Sequence, residues 1–203
     1  MAHVEPLRRE KLPDLEQLFQ LYEDTLSFVP NSLYTMARRP EVVRCLSDLI
    51  TAIWRMGTVP AALKPLVAIV ASTAAGCRYC QAHETVDARM RGVPEKKIAA
   101  IWDFETSDLY SDAERAALRL ARDASVVPNA VTAARFEELR RYWDDGQIVE
   151  ILSVVSLFGF LNRWNDTMST DLEEIPRAVA GRTIGPSGWT PGKHGFDTHP
   201  PSE

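Results

Sequence analysis

Apolar positions recur along this chain every three or four residues, and no Val/Ile/Thr-rich stretch alternates with hairpin turns between. Leu12, Leu15, Leu18, Phe19, Tyr22 and Leu26 share one face of a helix that should begin near Pro13. A break at residues 28–31 follows, then a short helical turn over 33–38. Pro40 opens the next helix, with Val43, Leu46, Leu49, Ile50, Ile53 and Trp54 on one side and Gly57 at its end. An apolar run over 66–75 leads into Gly76. The pattern resumes as a helix over 81–90, which Gly92 should stop. Pro94 should start a short helix over 95–102. Ser111 and Glu114 have the spacing of a capping box at the head of a helix that ends near Ser125. Phe136, Leu139 and Tyr142 or Trp143 mark another helix. The last long one runs from Gln147 to about Met168, capped by Asp144 and Asp145. Its apolar residues are dense enough to predict burial on most sides.

The predicted class is therefore all-α, a single domain over 1–180 with its core at about 40–170. Residues 181–203 hold five glycines and four prolines without helical periodicity. They are expected to form an extended or partly disordered arm. Ile184, Trp189 and Phe196 would serve there as apolar anchors for a neighbouring subunit.

Composition narrows the function. The chain has 203 residues, 45% of them hydrophobic, and a net charge of -5 with mixed signs. That balance argues against nucleic acid or an anionic membrane as the main partner. The longest apolar stretch, 148–161, has only 14 residues and includes Glu150, Ser153 and Ser156, whereas a membrane span needs roughly 20. The N-terminus shows no apolar signal core. The expectation is a cytoplasmic protein.

Three cysteines in a reducing compartment do not make a structural disulfide framework. Cys45, beside Leu46, is expected to pack as an inert core thiol. Cys77 and Cys80 are different. They form a Cys-x-x-Cys pair at the break after Gly76, where a helix N-terminus would favour a thiolate. His83 and Glu84 follow within one turn of Cys80. His83 could take the thiol proton, and Glu84 could accept one itself or orient a neighbour. Zinc would need a second pair of ligands, and Cys45, His3, His194 and His199 lack the spacing. The residues alone leave open a redox-active pair, a dithiol–disulfide exchange site, and a non-catalytic helical oligomer with idle thiols.

The stretch AIVASTAAGCRYCQAHETVDARMRGVPEKKIAAI resembles the alkylhydroperoxidase AhpD-like core of the carboxymuconolactone decarboxylase superfamily. DDGQIVEILSVVSLFGFLNRWNDTM is similar to that family's last core helix, with Glu150 and the pair Asn162–Arg163. GWTPGKH resembles the tail of its longer peroxidase-related members. The resemblance implies an all-helical homo-oligomer that works without haem, flavin or metal. It implies a thiol peroxidase in which Cys80 attacks a peroxide and Cys77 resolves it to a disulfide, later reduced by an external dithiol. Pro65 stands where better-known relatives place a glutamate, and Glu84 stands where they place a histidine. The expected site is then Cys77, Cys80, His83 and Glu84, with Glu150 in reserve.

Overall fold

The computed structural model describes residues 2–195. Ten α-helices follow one another with short connections: α1 Glu16–Leu26, α2 Asn31–Met36, α3 Pro40–Arg55, α4 Leu63–Ala74, α5 Arg78–Met90, α6 Glu95–Ala99, α7 Asp112–Ser125, α8 Ala133–Leu139, α9 Asp145–Met168 and α10 Glu174–Thr183. No strand occurs among the described residues.

The bundle is built around α4. Every residue of this helix from Leu63 to Ser72 is buried, because α5, α7 and α9 all pack against it. The sequence marks the ends of these helices well. Ser111 and Glu114 form the expected capping box on α7, and Asp144 and Gln147 form a second on α9. Gly76 has φ +80°, a left-handed turn that lets α4 stop and α5 start with only Cys77 between. Pro94 sits one position earlier than expected, as the N-cap of α6, and α6 ends at Ala99 before a 3-10 turn.

α9 has 24 residues and is long and apolar enough to cross a membrane by length and composition. Here it packs against α3, α4, α5 and α7, and its inward side carries Glu150, Asn162 and Asn165 as well as aliphatic residues. The prediction of burial on most sides is too broad. Val149 is 62% exposed and Phe160 44%. They adjoin a second apolar stripe on α3, formed by Val42, Cys45, Leu49 and Met56, and together these residues line an open groove. Cys45 is thus exposed, not a core thiol. The reason is helical phase: the buried residues of α3 are Val43, Leu46, Ser47 and Ile53, and Cys45 points away from them.

The arm needs a similar correction. From α10 to Gly195 the described chain runs through two 3-10 turns, and it lies on its own bundle. Ile184 and Trp189 are buried there, so they are not free anchors. The Trp189 indole donates to the Arg78 carbonyl (3.3 Å), Arg78 donates to the Thr190 carbonyl (3.1 Å), and the His194 Nδ1–H donates to the Thr170 carbonyl (2.7 Å). Phe196 and His199 lie outside the described residues.

Candidate active site

α5 carries the cysteine pair at its first turn. Cys77 is the N-cap, and its Sγ accepts the Cys80 backbone N–H at 3.5 Å. Both thiols are free and buried. Their electrostatics diverge. The Cys80 thiol donates toward Cys77, and the N–H groups of Cys80 and Tyr79 add to it, so the Cys77 pKa falls despite burial. Burial, together with the neighbouring Cys77, pushes Cys80 well up. Of the two, Cys77 is therefore the thiol that gives up its proton more readily.

Access gives the opposite order. A cavity of about 110 Å³ is enclosed by α1, α2, α3, α5 and α9, and Cys80 lines it while Cys77 does not. Its walls are mainly apolar, with Leu33, Leu46, Ile50, Trp54, Leu157 and Phe158 among them. His83, Glu84, Asp87 and Asn165 are among its polar positions. The Asn165 Nδ2 donates to Cys80 Sγ at 3.6 Å.

His83 is held from a distance of 90 residues. Its Nε2 meets Glu173 Oε2 at 2.7 Å, and its ring stacks on Tyr79 with centroids 4.2 Å apart. Glu173 is the N-cap residue of α10. It also accepts the Tyr79 hydroxyl at 2.7 Å and the Asn31 backbone N–H. Burial pushes the Glu173 carboxyl up, but attraction to His83 and these hydrogen bonds outweigh it and leave the pKa below the usual range. An ionised carboxylate only accepts, so His83 Nε2 carries a proton and Nδ1 holds the lone pair in the neutral ring.

Glu84 does not orient His83; that place belongs to Glu173. The Glu84 side chain is buried, and its Oε2 has no hydrogen-bond partner among the described residues. Burial, with Asp87 nearby, pushes its pKa well up. Glu150, the reserve candidate, is structural. Its carboxylate accepts the N–H groups of Thr58 (2.8 Å) and Val59 (3.0 Å), and buried Lys64 lies 3.8 Å away. Gly57 at φ +73° makes room for it, since a Cβ there would overlap the carboxylate.

So the structure gathers Cys77, Cys80, His83 and Glu84 on α5 and sets Glu150 aside. Sequence reasoning missed Glu173 and Asn165. Glu173 has no local signal, because its partners are on α2 and α5. Asn165 stands in the quoted last-helix segment, three residues after the Asn162 that was singled out. Among the described residues no group of three or more His, Cys, Asp or Glu side chains is placed to hold a metal ion.

A family model described as the carboxymuconolactone decarboxylase family matches residues 40–123, which include α3, α4, α5 and α6 and most of α7. Among solved structures, a cysteine-to-alanine form of the debrominase Bmp8 in complex with 2,3,4-tribromopyrrole superposes with a TM-score of 0.84. It is 36% identical and the match covers 90% of this chain and 98% of that one. An uncharacterised peroxidase-related protein with an AhpD core from Ralstonia eutropha JMP134 matches with a TM-score of 0.78 at 22% identity, over 86% of this chain and 94% of that one. The uncharacterised protein YdfG of Bacillus subtilis (strain 168) is 27% identical over 135 residues, 66% of this chain and 88% of YdfG.

Proposed function

Since the chain belongs to the carboxymuconolactone decarboxylase superfamily and has its AhpD-like helical fold, we propose that it is a thiol-dependent reductase, with an organic hydroperoxide as electrophile. The observation that carries this reading is the split between the two thiols: Cys80 faces the cavity, and Cys77 beside it gives up its proton more readily. Passing the Cys80 proton to an ionised Cys77 makes Cys80 the thiolate at the moment a substrate arrives. Its sulfur attacks the terminal peroxide oxygen. An S–O bond forms, the O–O bond breaks, and the alkoxide takes up a proton to leave as alcohol. The Cys77 sulfur then attacks the Cys80 sulfur. The S–S bond forms, and hydroxide leaves with the Cys77 proton as water. An external dithiol reduces the disulfide, which requires a reducing compartment such as the cytoplasm.

A second reading keeps the same two electrons and changes the electrophile. The likeness to debrominase Bmp8 and the aromatic walls at Trp54 and Phe158 favour a brominated heteroaromatic. There a carbon–bromine bond is replaced by carbon–hydrogen, bromide leaves, and the same disulfide forms.

The test is mass spectrometry of the anaerobic reduced protein after one equivalent of cumene hydroperoxide or of 2,3,4-tribromopyrrole. The expected product is a Cys77–Cys80 disulfide in proportion to alcohol or dibromopyrrole released. A disulfide formed with glutathione disulfide but with neither electrophile would make the protein a dithiol–disulfide exchanger. No disulfide under any of these oxidants, or one that uses Cys45, would sink the reading. The same proposal includes a homo-oligomer, supported by the exposed apolar groove between α3 and α9. A monomer in sedimentation at micromolar concentration would remove that part.

A further inference from the structure

Two buried polar atoms in the Cys80 cavity have nothing to bond to. One is Glu84 Oε2 and the other is Asn165 Oδ1; both residues line the cavity, and neither atom has a hydrogen-bond partner among the described residues. Asn165 is 1% exposed and Glu84 7%. The other polar walls are occupied. Tyr22 pairs with Ser47, Asp87 with Arg91, and His83 with Glu173. An unpartnered buried polar atom costs about 1–3 kcal/mol, so two at one reactive sulfur call for a ligand that supplies their partners.

The chemistry of each atom sets what that ligand must bring. The Asn165 Nδ2 is committed to Cys80 Sγ, so its Oδ1 is left as an acceptor beside the attacked position. It needs an O–H or N–H. The thiol pair has a complementary shortage. Once the pair has lost one proton, as an attacking thiolate requires, two sulfurs and a hydroperoxide are one proton short of alcohol, water and disulfide. Resting on the thiol-reductase reading, we propose that Asn165 selects small, largely apolar substrates that carry an O–H or N–H on or next to the atom Cys80 attacks, and that Glu84 supplies the proton taken up by the leaving atom.

The step balances. Hydroperoxide, one thiolate, one thiol and the Glu84 acid give alcohol, water, disulfide and the Glu84 carboxylate. In the brominated case Glu84 lends the proton to the ring carbon and takes one back when Cys77 loses its own on forming the disulfide, so that aryl bromide, one thiolate and one thiol give arene, bromide and disulfide. Burial favours the acid form of Glu84, with Asp87 adding to that and Arg91 opposing it. The titratable and charged groups around the cavity are Tyr79, Cys80, His83, Asp87 and Arg91 from α5 and Tyr22 from α1, with Glu173 behind Tyr79 and His83; the polar residue from α9 is the neutral Asn165.

The test separates binding from turnover. 2,3,4-Tribromopyrrole and its N-methyl form are titrated into the Cys80→Ala protein, which cannot react, with Trp54 fluorescence as the signal. The N–H compound should bind about ten- to a hundredfold more tightly, the effect of leaving a buried acceptor unpaired. The preference should vanish in Cys80→Ala/Asn165→Leu. Equal binding of the two compounds to the Cys80→Ala protein overturns the selection by Asn165, whether or not the double variant folds. In turnover, Glu84→Gln should lower kcat for cumene hydroperoxide about 10²-fold with the binding preference kept, as expected for loss of a general acid. An unchanged kcat overturns the role of Glu84. If the wild-type protein consumes neither electrophile, the thiol-reductase reading and the proton delivery by Glu84 fail together, while the binding preference still decides whether Asn165 selects the donor.

Discussion

Two buried glutamates stand at the α5 site, one on the helix after Cys80 and one bound to its His83, and they are opposites. Glu173 is saturated: an imidazole, a phenol and a backbone amide all donate to it, and its pKa lies below the usual range. Glu84 is left with an unpartnered oxygen, and its pKa lies well above that range. Burial acts on both in the same direction, so the difference comes from partners alone. A carboxylate with every lone pair engaged holds other groups in place. Glu173 fixes His83, stacked on Tyr79, and ties the start of α10 to α2 and α5. A carboxyl group with an idle oxygen can give a proton to whatever enters the cavity. The fold thus puts its rigid acid and its available acid on two sides of one helix.

Removing the saturated member should have the largest effect. Glu173→Ala strands three donors, the His83 Nε2–H, the Tyr79 hydroxyl and the Asn31 N–H. Each unpartnered buried donor costs about 1–3 kcal/mol, and urea unfolding should show a loss of about 3 kcal/mol or more. Its acid profile follows from the sign of the shift. The Glu173 carboxyl gives up its proton more readily in the folded chain than in the unfolded one. Its contribution to stability is therefore present above the unfolded value of about 4.3 and is lost as pH falls through the lower folded value. A Glu173→Ala protein within about 1 kcal/mol of wild type would show that the saturated network is ornamental and erase the contrast.

A smaller effect is expected one bond further from the network. His83 shares the cavity with Cys80 and, with Nε2–H given to Glu173, can accept a proton only at Nδ1. If it draws the Cys80 proton, His83→Ala should slow iodoacetamide alkylation at Cys80 by about 10²-fold near neutral pH. Cys77→Ser sharpens the comparison, because Cys77 is the other available base. The larger loss identifies the base. Equal rates for wild type and both variants would mean that neither group takes this proton and that the helix N-terminus alone activates the thiol.

Much of this arrangement is legible in the sequence because it is local. The break at Gly76, the capped starts of α7 and α9, and the clustering of Cys77, Cys80, His83 and Glu84 all follow from spacings of a few residues. What escaped is non-local. Cys45 and Leu49 read as core by hydrophobicity, yet helical phase puts them on an outward stripe of α3. Ile184 and Trp189 looked like exposed anchors because nothing near them in sequence shows that α5 offers a surface, including the Arg78 carbonyl, to cover. Glu150 is near the end of α9 that meets the Gly57 loop, so the helix carries it away from the cysteines while delivering Asn165 to them. Glu173 is 90 residues from His83, and only the packing of α10 on α5 joins them.

The smallest expected effect isolates the second acid. Glu84 must lose its proton on unfolding at neutral pH, because the folded chain holds that proton more tightly. Wild-type stability should therefore carry a term that is fully present below about pH 4.3, the ordinary glutamate value, and that declines as pH rises toward the folded value. Glu84→Gln keeps the shape and a hydrogen-bonding amide but has no proton to lose. Asp87 and Cys80 are also pushed up and interact with Glu84, so the difference between the two proteins reports Glu84 together with its effect on these neighbours. At about pH 4 the two proteins should unfold within about 1 kcal/mol of each other. By pH 7 the glutamine protein should be the more stable by about 1 kcal/mol or more. The measurement is a urea midpoint for each protein at half-unit steps of pH. A difference that stays constant across the series would mean that Glu84 titrates alike in the folded and unfolded chains. The idle oxygen would then have found a partner such as a buried water, and the two glutamates would differ in geometry but not in what they can do.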